Sequence, residues 1–314
     1  MTATTTATII PTVRLEHTGG GGGGRTRRMI GLIVVALLVL TILVVMVLPG
    51  AVARTNPITT GVEVLQAPSG SHWFGTDQLG RDVFSRTVYG ARPVLVASVL
   101  GVLLATVAGV IIGIIGGAAP SWIRAVVMRV VDVLLALPVL LIALILIATV
   151  GAGIPSVVFA LGAAFTPGFA RVVESSVRRL RSVEYVEAAR VFGSTGVRTS
   201  LRHLLPNLIT EVVVLVSSAV GWAILTATTL SFLGLGVRLP AADWGSDLHA
   251  GSSSLSTSWW LSTFPGAAIT VTILIANFAG DYVMTALDPR GGRRARHGLR
   301  AFIGRGGSTT KEDA

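Results

Sequence analysis

Few side chains in this sequence could take part in chemistry, and their spacing argues against most reactions. The five histidines, His17, His72, His203, His249 and His297, are far apart, and none stands in the HExxH type of spacing that gathers ligands around a metal. There is no cysteine, which removes thiol nucleophiles, disulfides and sulfur-ligated metals. A nucleotide-hydrolysing loop needs glycine amides around the phosphates and a lysine that reaches the terminal ones, yet the single lysine is Lys311, in the tail. The run Gly19 to Gly24 satisfies GxGxxG trivially and follows no strand. The expectation is a chain with no catalytic residue, no metal and no cofactor of its own.

Two charged strings remain, and their chemistry is that of docking. In the first, Tyr185-Val-Glu187-Ala188-Ala189-Arg190-Val-Phe192-Gly193, the residue types predict a short helix. Glu184 and Glu187 stand toward its N-terminal end, where the macrodipole favours anions, Arg190 toward the other, and Gly193 can adopt the left-handed conformation that stops it. A second helical stretch runs to His203 and ends before Pro206. Ala188 and Ala189 let another backbone approach, while Val186, Val191 and Phe192 offer apolar anchors. Both a groove on a partner and the surface of a membrane leaflet would suit such a segment.

The second string is His72-Trp-Phe-Gly75-Thr76-Asp77-Gln-Leu-Gly80-Arg81-Asp82-Val-Phe-Ser-Arg86, closing with Tyr89-Gly90-Ala-Arg92. Thr76 or Asp77 is expected to cap an amphipathic helix carrying Leu79, Val83, Phe84 and Val88. That helix would either receive an external protein or pack over the structure beneath it.

The elements that must hold these strings are membrane spans. With 52% hydrophobic and 13% charged residues, and a mean hydropathy of +0.76, the chain is too apolar for an ordinary soluble domain. The net charge of +10 is no sign of a nucleic-acid partner, because the basic residues fall between apolar blocks. Stretches free of charge are expected to supply six spans. These are one each within Met29 to Ala53 and Pro93 to Ile123, two within Val133 to Ala170 broken at Gly151 to Pro155, and one each within Val212 to Val237 and Trp259 to Gly280. If the N-terminus is inside, 20 of the 25 Lys and Arg residues fall on inner segments, so both termini are expected in the cytosol.

This division gives a disordered tail over residues 1–28, a six-helix domain over 29–290 and a basic disordered tail over 291–314. The domain carries an outer segment (49–92), an inner loop (171–206) and an outer loop (236–258). The span cores carry no Asp, Glu, Lys or Arg, and Asp132, Glu211 and Asp281 stand near span ends, which disfavours proton coupling. In the fifth span Ser217, Ser218, Thr226, Thr228, Thr229 and Ser231 either line a polar path, for which Ser217, Thr226, Thr229 and Ser231 are the candidates, or bond to carbonyls one turn back. Pro138 is a kink or hinge candidate in the third span.

The inner string resembles a known signature. Glu187-Ala-Ala, then three residues, Gly193, nine residues, His203, one residue and Leu205-Pro206 is similar to the EAA loop of ABC importer permeases. The commonest pattern in that family has Ile at the place of His203, and its peptide-permease branch often carries His. The outer string resembles the segment before the second span in the C-type permeases of dipeptide, oligopeptide and nickel importers. Ser231-Phe-Leu-Gly234-Leu-Gly236-Val, Asp243-Trp244-Gly245, and the stretch from Trp259-Trp260 through Pro265-Gly266 and Gly280-Asp281 to Leu287-Asp288-Pro289-Arg290 extend the likeness over roughly residues 70–290.

The resemblance implies an all-α, multi-pass protein of the bacterial cell membrane with the type I importer architecture. It implies a non-catalytic subunit that forms half of a path for dipeptides or oligopeptides, paired with a second homologous permease. Two ATP-binding subunits would bind the ATP and Mg, and an extracellular or periplasmic binding protein would deliver substrate. By the same resemblance Glu187, Ala188, Ala189 and Phe192 would dock an ATP-binding subunit, Gly193 would form the turn, and His203, Leu205 and Pro206 would complete the loop. Gly75, Thr76, Asp77, Gly80, Arg81 and Asp82 carry the outer motif. A self-contained carrier and a membrane-embedded enzyme are the rival expectations, and neither accounts for the string from Glu187 to Pro206.

Overall fold

The computed structural model describes residues 23–181, 205–238 and 240–287, and among these every regular element is a helix. In chain order they are α1 (Gly23–Val47), α2 (Pro49–Val52), α3 (Val83–Ala118), α4 (Ser121–Leu135), α5 (Val139–Val150), α6 (Ile154–Arg181), α7 (Leu205–Phe232), α8 (Trp244–Ser252) and α9 (Trp260–Leu287). Four stretches are long and apolar enough to cross a membrane: Val83–Ala118, Ile154–Leu180, Leu208–Phe232 and Trp260–Met284. The α4–α5 pair, bent by 93°, makes a fifth if it is one span, and the apolar part of α1, Gly31–Val47, is shorter. Leu37, Leu103, Ile111, Val271 and Phe278 stand exposed on these helices, as side chains facing lipid do.

The core is built on a seam of small residues. Along α3, Gly101, Ala105, Gly109, Gly113 and Gly117 recur every fourth residue and so share one face. α6 lies against that face. A Cβ added at Gly101, Gly109, Gly113 or Gly117 would sit 2.6, 2.3, 2.6 or 2.7 Å from the Cβ of Leu161, Phe169, Val173 or Val177 respectively. Contact this close between backbones is how helices associate without a hydrophobic drive from water. Ala143 and Ile147 of α5, Ile224 and Leu230 of α7 and Ile269 of α9 complete the central cluster.

Two boundaries follow local chemistry that the sequence displays. Gly151 (φ 97°) and Gly153 (φ 149°) make the turn between α5 and α6, and Pro155 falls in the first turn of α6, where its missing N–H costs nothing. Pro138, which disfavours helix for the residue before it, starts α5 as its N-cap and marks the bend from α4.

The outer helix is a correction. No helix begins at Thr76 or Asp77; residues 76–82 form a loop closed by one antiparallel bridge between Thr76 and Asp82. Asp82 is the cap, its carboxylate accepting from the Ser85 N–H at 2.8 Å and the Ser85 hydroxyl at 2.7 Å. From there α3 runs unbroken through Pro93 for 36 residues, so the second apolar helix begins ten residues before the expected Pro93.

Candidate functional site

The outer motif folds into a buried plate. Gly75 (φ 75°) and Gly80 (φ 70°) bend the chain where no side chain would fit, since a Cβ at either would lie 2.4 Å from the Gln66 carbonyl oxygen or 2.2 Å from that of Gly61. Between them Asp77 turns the backbone, one carboxylate oxygen accepting from the Leu79 N–H (2.8 Å) and the Arg81 N–H (2.9 Å) and the other from Arg81 Nε at 2.6 Å. Thr76 is fully buried, its hydroxyl donating to the Glu63 carbonyl at 2.6 Å and accepting from the Gln66 N–H at 2.8 Å. Asp82 also meets His72 Nδ1 at 3.0 Å. All six predicted residues of this motif are therefore brought together.

Arg86, buried one turn into α3, ties the plate to the second outer loop. Its guanidinium donates to Asp247 of α8, with Nε 3.1 Å from Oδ1, and to the carbonyls of Pro57 (3.1 Å) and Pro240 (3.3 Å). Asp77 and Arg81 border the same cavity of about 240 Å³, with Leu79, Leu261 and Pro265 among its apolar walls. Two indoles add bonds across elements: Trp244 Nε1 to the Thr87 carbonyl at 2.6 Å, and Trp260 Nε1 to the Thr76 carbonyl at 3.2 Å. The starts of α3, α8 and α9 are thereby locked into one body.

Asp243 caps α8 by accepting from the Gly245 (3.0 Å) and Ser246 (3.1 Å) N–H groups. Burial dominates these bonds and raises its carboxyl from 3.8 to about 6. The Asp247 carboxyl is also pushed up by burial, against the pull of Arg86. Arg86 and Asp247 belong to this site although nothing in their local sequence pairs them.

At the other end, charged pairs join α4, α6 and α7. Arg124 Nε lies 2.8 Å from Oε1 of Glu174, which is only 3% exposed, and Arg178 approaches the same oxygen at 3.8 Å. Arg171 pairs with Asp132, and Glu211 of α7 accepts from Arg179 and Ser176 of α6. The last two contacts clamp the end of α6 to the start of α7. Arg171, Glu174 and Arg178 lie on α6 beyond the expected span end at Ala170.

Along α7 the hydroxyls bond within the helix. Ser217 donates to the Val213 carbonyl, Thr226 to that of Trp222 and Thr229 to that of Leu225, each at 2.8 Å. Ser231 instead reaches Asp243 at 3.3 Å. Leu205 and Pro206 open α7. Glu187, Ala188, Ala189, Phe192, Gly193 and His203 lie outside the described residues. Among the described residues no group of three or more His, Cys, Asp or Glu side chains is placed to hold a metal.

The comparisons with known proteins agree with this architecture. The family model described as binding-protein-dependent transport system inner membrane component matches residues 109–292, a range that excludes the outer plate and includes the inner loop. The glutathione transport system permease protein GsiD of Pectobacterium atrosepticum is 38% identical over 225 residues, which cover 72% of this chain and 75% of that protein. A putative peptide transport system permease protein of Brucella suis is 38% identical over 253 residues, 79% of this chain and 84% of its own length. The dipeptide transport system permease protein DppC of Alkalihalophilus pseudofirmus is 36% identical over 238 residues, 76% of this chain and 77% of its own length. Among solved structures, an inward-facing MetNI methionine ABC transporter chain shares the fold, with a TM-score of 0.54 at 17% identity over 65% of this chain and 96% of that one. Helices as the regular elements among the described residues, several of them apolar enough to span a membrane, a family model over more than half of the chain and relatives that are transport permeases meet in one assignment: the chain belongs to the family of binding-protein-dependent transport system inner membrane components.

Proposed function

We propose that this chain is one of two permease subunits of an ATP-driven importer for dipeptides or oligopeptides in the bacterial cell membrane. The string from Glu187 to Pro206, inside the matched family range, carries the reading. It would seat residues 183–206 on an ATP-binding subunit that supplies ATP and Mg, while a second, homologous permease completes the path and a binding protein delivers substrate at the outer face. Peptide as the substrate class is supported by the names of the relatives from Brucella suis and Alkalihalophilus pseudofirmus. Six spans with both termini in the cytosol are supported by the bias of Lys and Arg, with α1 and the bent α4–α5 pair as two of the six.

Motion would pass from the ATP-binding subunits to the bundle through the clamp of Arg179 and Ser176 on Glu211, which joins the helices flanking the loop. Differences in ligand affinity between outward-open and inward-open states would drive the alternation. Ser217, Thr226, Thr229 and Ser231 would border the path, their bonded hydroxyls keeping an oxygen lone pair for passing donors.

Affinity purification of the tagged chain from its native membrane tests this. An ATPase and a second permease should accompany the wild type, and deletion of residues 183–203 should lose the ATPase alone. Gly193→Pro should insert normally and abolish uptake. A chain that purifies alone and moves solute in ATP-free vesicles would overturn the proposal.

A further inference from the structure

We propose that the cavity between α4 and α6 binds the phosphate of an anionic phospholipid, with the acyl chains lying along the exposed apolar strip of α4. The site goes beyond the transport reading and rests on it only for the cytosolic side of the membrane. Ser121, Arg124, Ala125, Met128, Arg129 and Asp132 recur at helical spacing along one face of α4 and, with Arg171 of α6, line a cavity of about 380 Å³.

The electrostatics of this cavity favour an anion. Arg124 is engaged by Glu174, and Arg171 by Asp132, which is the acidic group lining the cavity. Arg129 is exposed and has no hydrogen bond or ion pair among the described residues. Four guanidiniums, counting Arg178, thus stand against the carboxylates of Asp132 and Glu174. Each guanidinium has five N–H donors, so the paired ones keep donors to spare for a phosphate. The N-terminus of α4 borders the cavity too, and its N-cap, Pro120, makes no side-chain hydrogen bond to the first turn, which leaves the positive end of the helix dipole open.

The apolar strip selects a lipid over a free phosphate. Trp122 (69% exposed), Val126 (62%), Val130 (57%) and Val133 (57%) form the strip next to Arg129, so a phosphate-binding side chain stands at the border between polar and apolar surfaces. An exposed indole beside such a border is typical of a membrane interface. Within the α4–α5 pair, the charged residues Arg124, Arg129 and Asp132 stand on α4 before the 93° bend, and the uncharged α5 follows it. Basic pockets on the cytosolic side of membrane helices hold anionic head groups, and the charge bias puts this pocket on that side.

The test is native mass spectrometry of the delipidated full-length chain in detergent, titrated with phosphatidylglycerol or phosphatidylcholine. Wild type should bind phosphatidylglycerol in preference, and Arg129→Gln, which breaks no contact seen in the fold, should weaken that binding about tenfold, the size of one charge-assisted hydrogen bond. Affinity for phosphatidylcholine, whose choline cation offsets the charge of the same phosphate, should fall less. Equal binding of both lipids by the wild type, or an unchanged preference in Arg129→Gln, would overturn the proposal. Displacement of the lipid by millimolar inorganic phosphate would overturn it in favour of a free-anion site. In the assembled complex, phosphatidylglycerol should protect Ala125→Cys, which lines the cavity and would be the sole thiol in the chain, from a maleimide. Protection by a second permease subunit without lipid would identify the cavity as a subunit interface and sink the idea.

Discussion

At Asp243 burial and capping oppose each other, and burial prevails. The carboxyl titrates near 6 in the folded chain and near 3.8 when solvated. Between those values the folded state holds a proton that the unfolded state has released, so stability from this group is complete below 3.8 and is lost as the pH rises through about 6. The step between the two values is worth roughly 3 kcal/mol. Asp243→Asn keeps an oxygen to accept from Gly245 and Ser246 and removes the ionisation. The variant should therefore match the wild type at about pH 3 and melt at a higher temperature at pH 7.5, the gap opening as the pH rises from 3.8 to about 6 and staying constant above that. Thermal unfolding in detergent across this range checks it, and a gap that stays constant with pH would mean that Asp243 is not the titrating group. The same residue shows what local sequence leaves out: residues 236–258 read only as an outer loop, without the helix that Asp243 caps, and the pairing of Arg86 with Asp247, 161 residues away, leaves no local trace.

The seam of α3 and α6 shows why helices here must be read as pairs. A side chain at Gly113 would meet both the Val173 side chain and, at 2.8 Å, the Ala170 carbonyl, and neither can move without shifting α6. Gly113→Leu should thus lower stability by about 1–3 kcal/mol through overpacking. Ile111→Leu, two residues away on the lipid face, should leave the melting temperature unchanged. Thermal unfolding of the purified chain compares them, and equal melting temperatures would show that the close approach carries no energy. The fourfold spacing from Gly101 to Gly117 is plain in the sequence and forecasts this contact, but a search for apolar length alone passes over it. The break at Gly151 to Pro155 is likewise legible, because glycine and proline act through their own backbones. The start of α3 is not. Thr76, Asp77 and Asp82 can all cap a helix, and the choice falls to Asp82 because Thr76 is consumed by Glu63 and Gln66 and Asp77 by Arg81, partners that only the folded outer segment supplies.

For the whole molecule the decisive quantity is the distribution of charge across the membrane. Inverting the proposed topology would carry most of the 25 basic side chains to the outside, against the bias that orients membrane proteins. Since the chain has no cysteine, single introduced thiols report sidedness without background. We expect a membrane-impermeant maleimide to label Ser253→Cys, exposed beyond α8, in intact cells, and to label Thr5→Cys and Lys311→Cys only after permeabilisation. The pattern also counts spans, because termini on one side require an even number. Labelling of Thr5→Cys but not Lys311→Cys in intact cells would make the number odd. That result would take away either α1, whose apolar part is short, or the bent α4–α5 pair. Labelling of both tails with Ser253→Cys protected would invert the protein and place the inner loop, with its EAA-like string, outside. No ATP-binding subunit could then reach residues 183–206, so the sidedness of three thiols bears directly on whether this permease can be coupled to ATP in the way its sequence suggests.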